Sequence, residues 1–480
     1  MIEQQILADI WTTDEPMTVL RELCDDIGHR FGGSESERLG AEFLKQKMLD
    51  YGLENVRIEE FPLASWERGS AYLKLLEPVE REFSVVAMPY CPAADLTAQI
   101  VDVGEGDLAD YERLGDAIKG KIVITDAETN KPGERKSHRI VKYNWAVEYG
   151  AAAIVYINQN PGMLHITGAL FGHTAIQSPA EEWEVPIPGV GVTWEAGSAI
   201  RRLVERTGGE GKIHLKLENR TFASTSRNVI GEITGSEHPD EVVLIGGHFD
   251  GHDIAQAAGD DGAGTITGLE AARVLVPHKD KLKRTVRVVC FGSEEIGLLG
   301  AFHHAQNTDP DSYRFVMNLD GAGRGQGGHE QLTLTEWPEL QPWFETWSRE
   351  HHYGFEIRQQ VSAYSDHYPF ALRGIPNGTV NAQDSTAGMI GRGYGHTEAD
   401  TLDKVHVRGL QMSAALVARL VLAIANAEDW PAPERRSDAE VRELLEKNKF
   451  LAAAIKTGYL LEQRCDRSSG RGDGAAAPAD

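Results

Sequence analysis

Between residues 225 and 430 the chain repeats one local plan: an apolar run of strand type, a glycine-containing break that carries carboxylates or an imidazole, then a stretch of helical spacing. Residues 242–245, 285–291 and 313–319 are the strand-type runs, and residues 265–276 and 411–425 have helix periodicity. Strands that alternate with helices predict an α/β fold: a mixed, mostly parallel sheet with helices on both faces. In such sheets ligands gather beyond the carboxyl ends of the strands.

The residues at those ends carry the chemistry. Gly246-Gly247-His248-Phe249-Asp250 follows the first run, and Gly259-Asp260-Asp261-Gly262 precedes the next helix. Gly292-Ser293-Glu294-Glu295 follows the second run and Asp320-Gly321 the third. Each piece alone has a plain structural reading: a satisfied strand-end histidine, a turn or N-cap, a solvated helix start. Together they place several carboxylates and an imidazole on one sheet edge, a nitrogen and oxygen donor set that suits zinc and, less selectively, manganese or cobalt.

The rest of the chain bounds this picture. Residues 16–50 read as helix, interrupted at His29-Arg30-Phe31-Gly32-Gly33-Ser34. From about 68 to 220 short β-type runs (98–103, 121–125, 153–157) surround one helix at 137–149. Division into 1–67, 68–220, 221–430 and 431–480 follows, the last a charged helix and a small, polar tail expected to be disordered. The tail's Arg471-Gly472-Asp473 is read as a chance triplet. With 48 basic against 73 acidic residues the formal charge is −25, which disfavours nucleic acid or an anionic membrane as partner. Cys24, Cys91, Cys290 and Cys465 lie too far apart in sequence for a thiolate metal cluster, and Cys290 is expected to be a buried thiol. The start of the chain lacks the features of a signal peptide, and no apolar run is expected to reach membrane-spanning length. A cytoplasmic protein is the default expectation, or a secreted one whose leader was removed.

The motifs resemble the co-catalytic zinc exopeptidase family that includes bacterial secreted leucyl aminopeptidases, plasma glutamate carboxypeptidase and the glutamate carboxypeptidase II group. The matching strings are N-V-I-G-E-I-T-G-S at 228–236, G-G-H-F-D at 246–250, G-D-D-G-A-G at 259–264, F-G-S-E-E-I-G-L-L-G at 291–300, N-L-D at 318–320, S-D-H-Y-P-F at 365–370, G-I-P at 374–376 and G-H-T-E-A-D-T at 395–401. The string D-A-I-K-G-K-I-V-I-T, followed by a helix and G-A-A-A-I-V-Y-I-N, resembles the protease-associated domain, a β-rich insert that would roof the cleft. The resemblance implies two zinc ions held by His248, Asp260 as the bridging carboxylate, Glu295, Asp320 and His396. It further implies Glu294 as general base, Asp250 as the acid that orients His248, and a cis bond after Asp260. Two metals about 3.5–4 Å apart would share and activate a water.

The pattern departs from the family at residue 395, a glycine where many members have tyrosine. The helper at the oxyanion is therefore unassigned, with Tyr394 slightly preferred over Tyr364. Ser365, Asp366 and His367 are expected to support the pocket, His303 and His304 to lie at the surface, and His252 to be an ordinary histidine, with approach to the cleft as the alternative. The expected substrates are peptides. An aminopeptidase is preferred. A carboxypeptidase or dipeptidase of the plasma glutamate carboxypeptidase kind is the alternative, for which Arg324, Arg373 or Arg392 would bind the substrate carboxylate. A non-catalytic binding protein on the same scaffold would have lost ligands, and none is missing here.

Overall fold

A computed structural model describes residues 2–128, 137–170, 186–328, 330–382, 393–431 and 433–456. Cys465, the Arg471-Gly472-Asp473 triplet and Arg392 lie outside them. Two eight-stranded sheets organise the described residues.

The first sheet runs, edge to edge, Glu54–Glu67, Arg220–Ile233, Arg284–Phe291, His238–His248, Tyr313–Asn318, Asn377–Ala382, Glu330–Leu334, Glu356–Gln359. Its centre is parallel: His238–His248 pairs in parallel with both Arg284–Phe291 and Tyr313–Asn318, and the latter with Asn377–Ala382. The expected mixed, mostly parallel sheet is thus observed. Side chains of a strand point alternately to opposite faces. Val243 and Ile245 accordingly enter the core under Ala263–Leu275 and Val407–Asn426, whereas Val242 and Leu244 pack with Ala301, Ala305 and Phe370 on the other face. Val407–Asn426 is long and apolar enough to cross a membrane (mean hydropathy 1.5), contrary to the sequence expectation, but 72% of that stretch is buried inside the protein. It is a core helix.

Of the three strand-type runs of this unit, 242–245 widens to His238–His248, 285–291 gains one residue as Arg284–Phe291, and 313–319 ends one residue earlier as Tyr313–Asn318. The larger difference is the long pair Glu54–Glu67 and Arg220–Ile233, antiparallel from Glu54↔Glu232 to Glu67↔Arg220. Pro62 and several charged residues within these strands weaken the local signal, and only their mutual pairing reveals them.

Between these two strands the chain forms the second sheet. Its middle strands, Ala94–Asp102, Ile122–Asp126, Ala153–Ile157 and Gly189–Val192, are parallel, with antiparallel strands on either side. The insert also carries the helices Leu108–Leu114, Arg139–Glu148 and Trp194–Glu205. Arg68 joins it to the first unit through a bidentate ion pair with Asp253, at 2.6 and 2.8 Å. Cys24, Cys91 and Cys290 are free and buried.

The helix Glu35–Asp50 begins at Ser34, whose hydroxyl accepts from the Glu37 N–H. The Glu37 carboxylate is fully buried, accepts from the Gly33 N–H at 2.9 Å and from the Ser226 hydroxyl, and has the Arg227 guanidinium at 4.0 Å. Burial pushes this carboxyl up to about 8 from an ordinary 4.5. The folded chain therefore holds the proton more tightly than the unfolded one. The resulting stability is complete below about pH 4.5 and is lost as pH rises through about 8. Glu37→Gln is expected to flatten the fall in unfolding midpoint over this window. An unchanged slope in thermal melts across pH 5–9 would argue against the burial effect.

Candidate metal centre

The carboxyl ends of the central strands converge as the alternation predicts. His248 closes His238–His248, Glu294 and Glu295 follow Arg284–Phe291, and Asp320 follows Tyr313–Asn318. Asp260 and Asp261 precede Ala263–Leu275, and the bond between them is cis, as the resemblance implies.

Asp260 sits between two imidazoles. Its Oδ1 lies 3.6 Å from His248 Nε2 and its Oδ2 3.6 Å from His396 Nε2. The backbone is held from behind: the Gly259 and Asp260 N–H groups donate to the Asp400 carboxylate at 2.7 and 3.1 Å. Arg324 donates to Asp260 Oδ1 at 2.7 Å and to the Gly259 carbonyl at 2.7 Å, and lies 3.4 Å from Asp320. The Asp261 carboxylate accepts from the Gly321 N–H at 3.0 Å. It fills a slot where a Cβ on Gly247 or Gly264 would come within 2.5 or 2.4 Å of it, so larger residues there would displace it.

Both glutamates are fixed through their backbone. The Asp250 carboxylate accepts the Glu294 N–H at 2.9 Å and the Glu295 N–H at 3.2 Å. His248 Nδ1 donates to the Asp250 carbonyl at 3.2 Å, with the carboxylate farther off at 3.6 Å. Asp250 thus fixes the tautomer of His248 chiefly through its main chain, and uses its side chain to hold the glutamates. His396 adopts positive φ (63°) and is clasped by the insert: the Thr167 N–H donates to the His396 carbonyl at 3.0 Å, and His396 Nδ1 donates to the Thr167 carbonyl at 3.1 Å. In both histidines Nε2 is left facing the cluster.

The two adjacent glutamates differ in character. Burial, then the carboxylates of Glu295, Asp366 and Asp320, pushes Glu294 well above the usual carboxylate range. Burial opposes ionisation of Glu295 too, but the imidazoles of His252 and His396 outweigh it and hold Glu295 well below that range. Neighbouring carboxyls driven apart in this way are suited to different roles.

Among the described residues, the carboxylates of Asp250, Asp260, Asp261, Glu294, Glu295, Asp366 and Asp400 are nearly or fully buried here. Asp261 Oδ2 and both oxygens of Asp366 have no hydrogen-bond partner. An anionic, incompletely satisfied set of this kind fits divalent cations. Two groups offer converging donors, His252 with Glu295 and His396, and His248 with Asp261 and Asp320, each within 4.8 Å.

Four placements differ from, or were absent in, the sequence reading. His252, read as an ordinary histidine, is buried inside the cluster. His304, read as surface, is fully buried between Glu59 and Tyr313 (3.1 and 3.2 Å), on the face of the sheet packed against Phe370. Arg30, which was not singled out, is a fully buried cation that donates to the carbonyls of Phe249, Gln256 and Ala257, bracketing the loop between His248 and Asp260. Asp400 was likewise unassigned. Neither arginine nor aspartate has a local signal beyond membership of the strings 29–34 and 395–401.

Of the two tyrosines, Tyr364 lines the cleft beside Glu294, stacked on His138 of the insert at 4.2 Å. Tyr394 instead packs its ring against Lys404. Ser365 accepts from Asn318 at 2.7 Å, and His367 is buried, its imidazole pushed down to about 4 by burial. The insert adds His138, Arg139, Ile140 and Ala169 to the cleft wall. Arg324 is engaged by carboxylates, and Arg373 donates to the Thr308 carbonyl at 2.9 Å.

Comparison with known proteins agrees with this geometry. Residues 228–421 match the model of peptidase family M28, and residues 91–200 that of the PA domain. Carboxypeptidase Q of Mus musculus is 30% identical over 62% of this chain and 63% of its own length, so the chain spans less than two thirds of that relative. Aminopeptidase YwaD of Bacillus subtilis (strain 168) is 26% identical over 86% of this chain and 85% of its own. A crystal structure of a peptidase M28 precursor from Shewanella amazonensis SB2B superposes with a TM-score of 0.75 at 25% identity, covering 91% of this chain and 98% of that one.

Proposed function

We infer from a chain whose residues 228–421 belong to peptidase family M28, with a PA domain at 91–200, that this protein is a metal-dependent exopeptidase that removes N-terminal residues from peptides. The observation that carries the reading is geometric: Asp260 is set between two imidazoles, Glu295 lies 2.9 Å from His396 Nε2, and Glu294 lines the cleft beside them. His248 and Asp320 would hold one zinc ion and Glu295 and His396 the other, with Asp260 between them. Bound zinc supplies Lewis acidity to the scissile carbonyl and lowers the pKa of a water towards neutrality; manganese or cobalt suits the same donors less selectively. Glu294 would accept a proton from the attacking water at its carboxylate and return it to the leaving amine. Asp250 keeps Glu294 in reach by holding its backbone. In this reading Tyr364 donates to the oxyanion, which its position in the wall of the same cleft supports.

The surplus of acid favours a substrate ammonium over a carboxylate, and two of the three arginines considered for a carboxylate are engaged elsewhere. One observation favours the second reading, a dipeptidase or carboxypeptidase: Arg139 of the insert lines the cleft beside Glu294. The catalytic unit in this reading comprises residues 1–67 and 221–430, roofed by 68–220.

Aminoacyl anilides and N-blocked dipeptides assayed side by side separate the two. Cleavage of free-amine substrates alone, abolished by a chelator and restored by zinc, is the expected result. Cleavage of blocked dipeptides, with KM raised in Arg139→Ala, would move the substrate class to the second reading. Activity that survives exhaustive metal removal would overturn both.

A further inference from the structure

The cluster contains one imidazole more than the five-residue set read from the sequence. His252 is 3% exposed, and its Nε2 lies 3.0 Å from Glu295 Oε2. The same oxygen lies 2.9 Å from His396 Nε2. The two rings meet edge to face, 4.4 Å between centroids at 77°. Neither ring nitrogen of His252 has a hydrogen-bond partner of acceptable geometry. A neutral histidine packed for shape would not leave both nitrogens unsatisfied in a buried site, because each loses water without gaining a partner.

Its position is also imposed from two sides. Asp253, the next residue, is locked by the bidentate pair with Arg68, and Arg30 ties down the carbonyls of Phe249, Gln256 and Ala257 on either side. The loop that delivers His252 into the cluster is therefore as firmly held as the strand ends that deliver the others.

We propose that His252 is a direct third ligand at the metal position formed by Glu295 and His396. The proposal rests on the reading that this cluster binds divalent cations. The two positions are then chemically unequal. One offers two imidazole nitrogens and a carboxylate, a set that selects zinc, cobalt or copper. The other offers His248 with the carboxylates of Asp320 and the neighbouring aspartates, a harder set that tolerates manganese. Zinc binds first and most tightly at the position of His252, and a mixed zinc–manganese form is accessible.

The test is a competition titration of metal-free full-length protein with zinc against a chromophoric chelator, on wild type, His252→Ala and His252→Phe. Wild type is expected to bind two zinc ions of distinct affinity. Both variants are expected to lose the tighter event by more than about 100-fold, beyond the roughly 10–100-fold produced by removing a group that only supports a ligand. Loss within that smaller range, loss in the alanine variant alone, or unchanged binding overturns the proposal, since His252 then acts by support, by packing or not at all. Wild type that binds no zinc refutes the functional reading instead. Should the variants fail to fold, the wild type decides. Cobalt-loaded protein is expected to show three paramagnetically shifted, exchangeable imidazole N–H signals in its proton NMR spectrum, and two would overturn the assignment.

Discussion

Replacing Glu294 with glutamine is expected to lower kcat by about 10²–10⁴-fold while leaving zinc content unchanged. The amide keeps the shape of the carboxylate and cannot accept the proton. Its backbone N–H still donates to Asp250, so the neighbouring Glu295 stays in place. Glu294 Oε2 is 3.8 Å from His248 Nε2, whereas Glu295 Oε2 lies within 3.0 Å of two imidazoles. The corresponding Glu295→Gln change should therefore lose metal first and activity as a consequence. Elemental analysis beside steady-state kinetics distinguishes the two. A Glu294→Gln enzyme that retains turnover within about tenfold of wild type would remove Glu294 from the role of base.

Arg30→Met is expected to produce the largest loss of stability from a residue outside the cluster. The guanidinium is fully buried and faces main-chain carbonyls rather than a carboxylate, and burial lowers its pKa. Methionine fills much of the volume and leaves the carbonyls of Phe249, Gln256 and Ala257 without donors. At about 1–3 kcal/mol for each, the cost is roughly 3–6 kcal/mol once some find water. Because those carbonyls bracket the loop from His248 to Asp260, zinc affinity should fall together with the urea midpoint. Wild-type stability in the variant would mean the loop holds its shape without Arg30.

The parts of the centre legible in the sequence are those that follow a strand rule. His248, Glu294, Glu295 and Asp320 each sit where an apolar run stops, and a parallel sheet must bring such positions to one edge. His396 came from resemblance alone, since no strand announces it. His252, Arg30 and Asp400 escaped because what matters in each is a contact across the fold: Arg30 reaches carbonyls more than 200 positions away, and Asp400 caps a loop 140 positions earlier. His304 was misjudged for a related reason. Nothing adjacent in sequence marks its partner: the helix Leu299–Gln306 turns it toward Glu59 on the long edge pair, which lacks a local signal of its own.

The clasp between Thr167 and His396 bears on how such a chain can be altered by descent or by design. An accessory unit that only covers a cleft can be trimmed, exchanged or lost, and the chemistry beneath survives. Here a residue of that unit accepts the Nδ1 proton of an imidazole in the cluster and also fixes its main chain, itself held at positive φ. Removing the insert, or grafting one from a relative, would therefore change the basicity and the aim of His396 along with the shape of the entrance. A change in the insert therefore has to be compatible with the cluster whose histidine it holds.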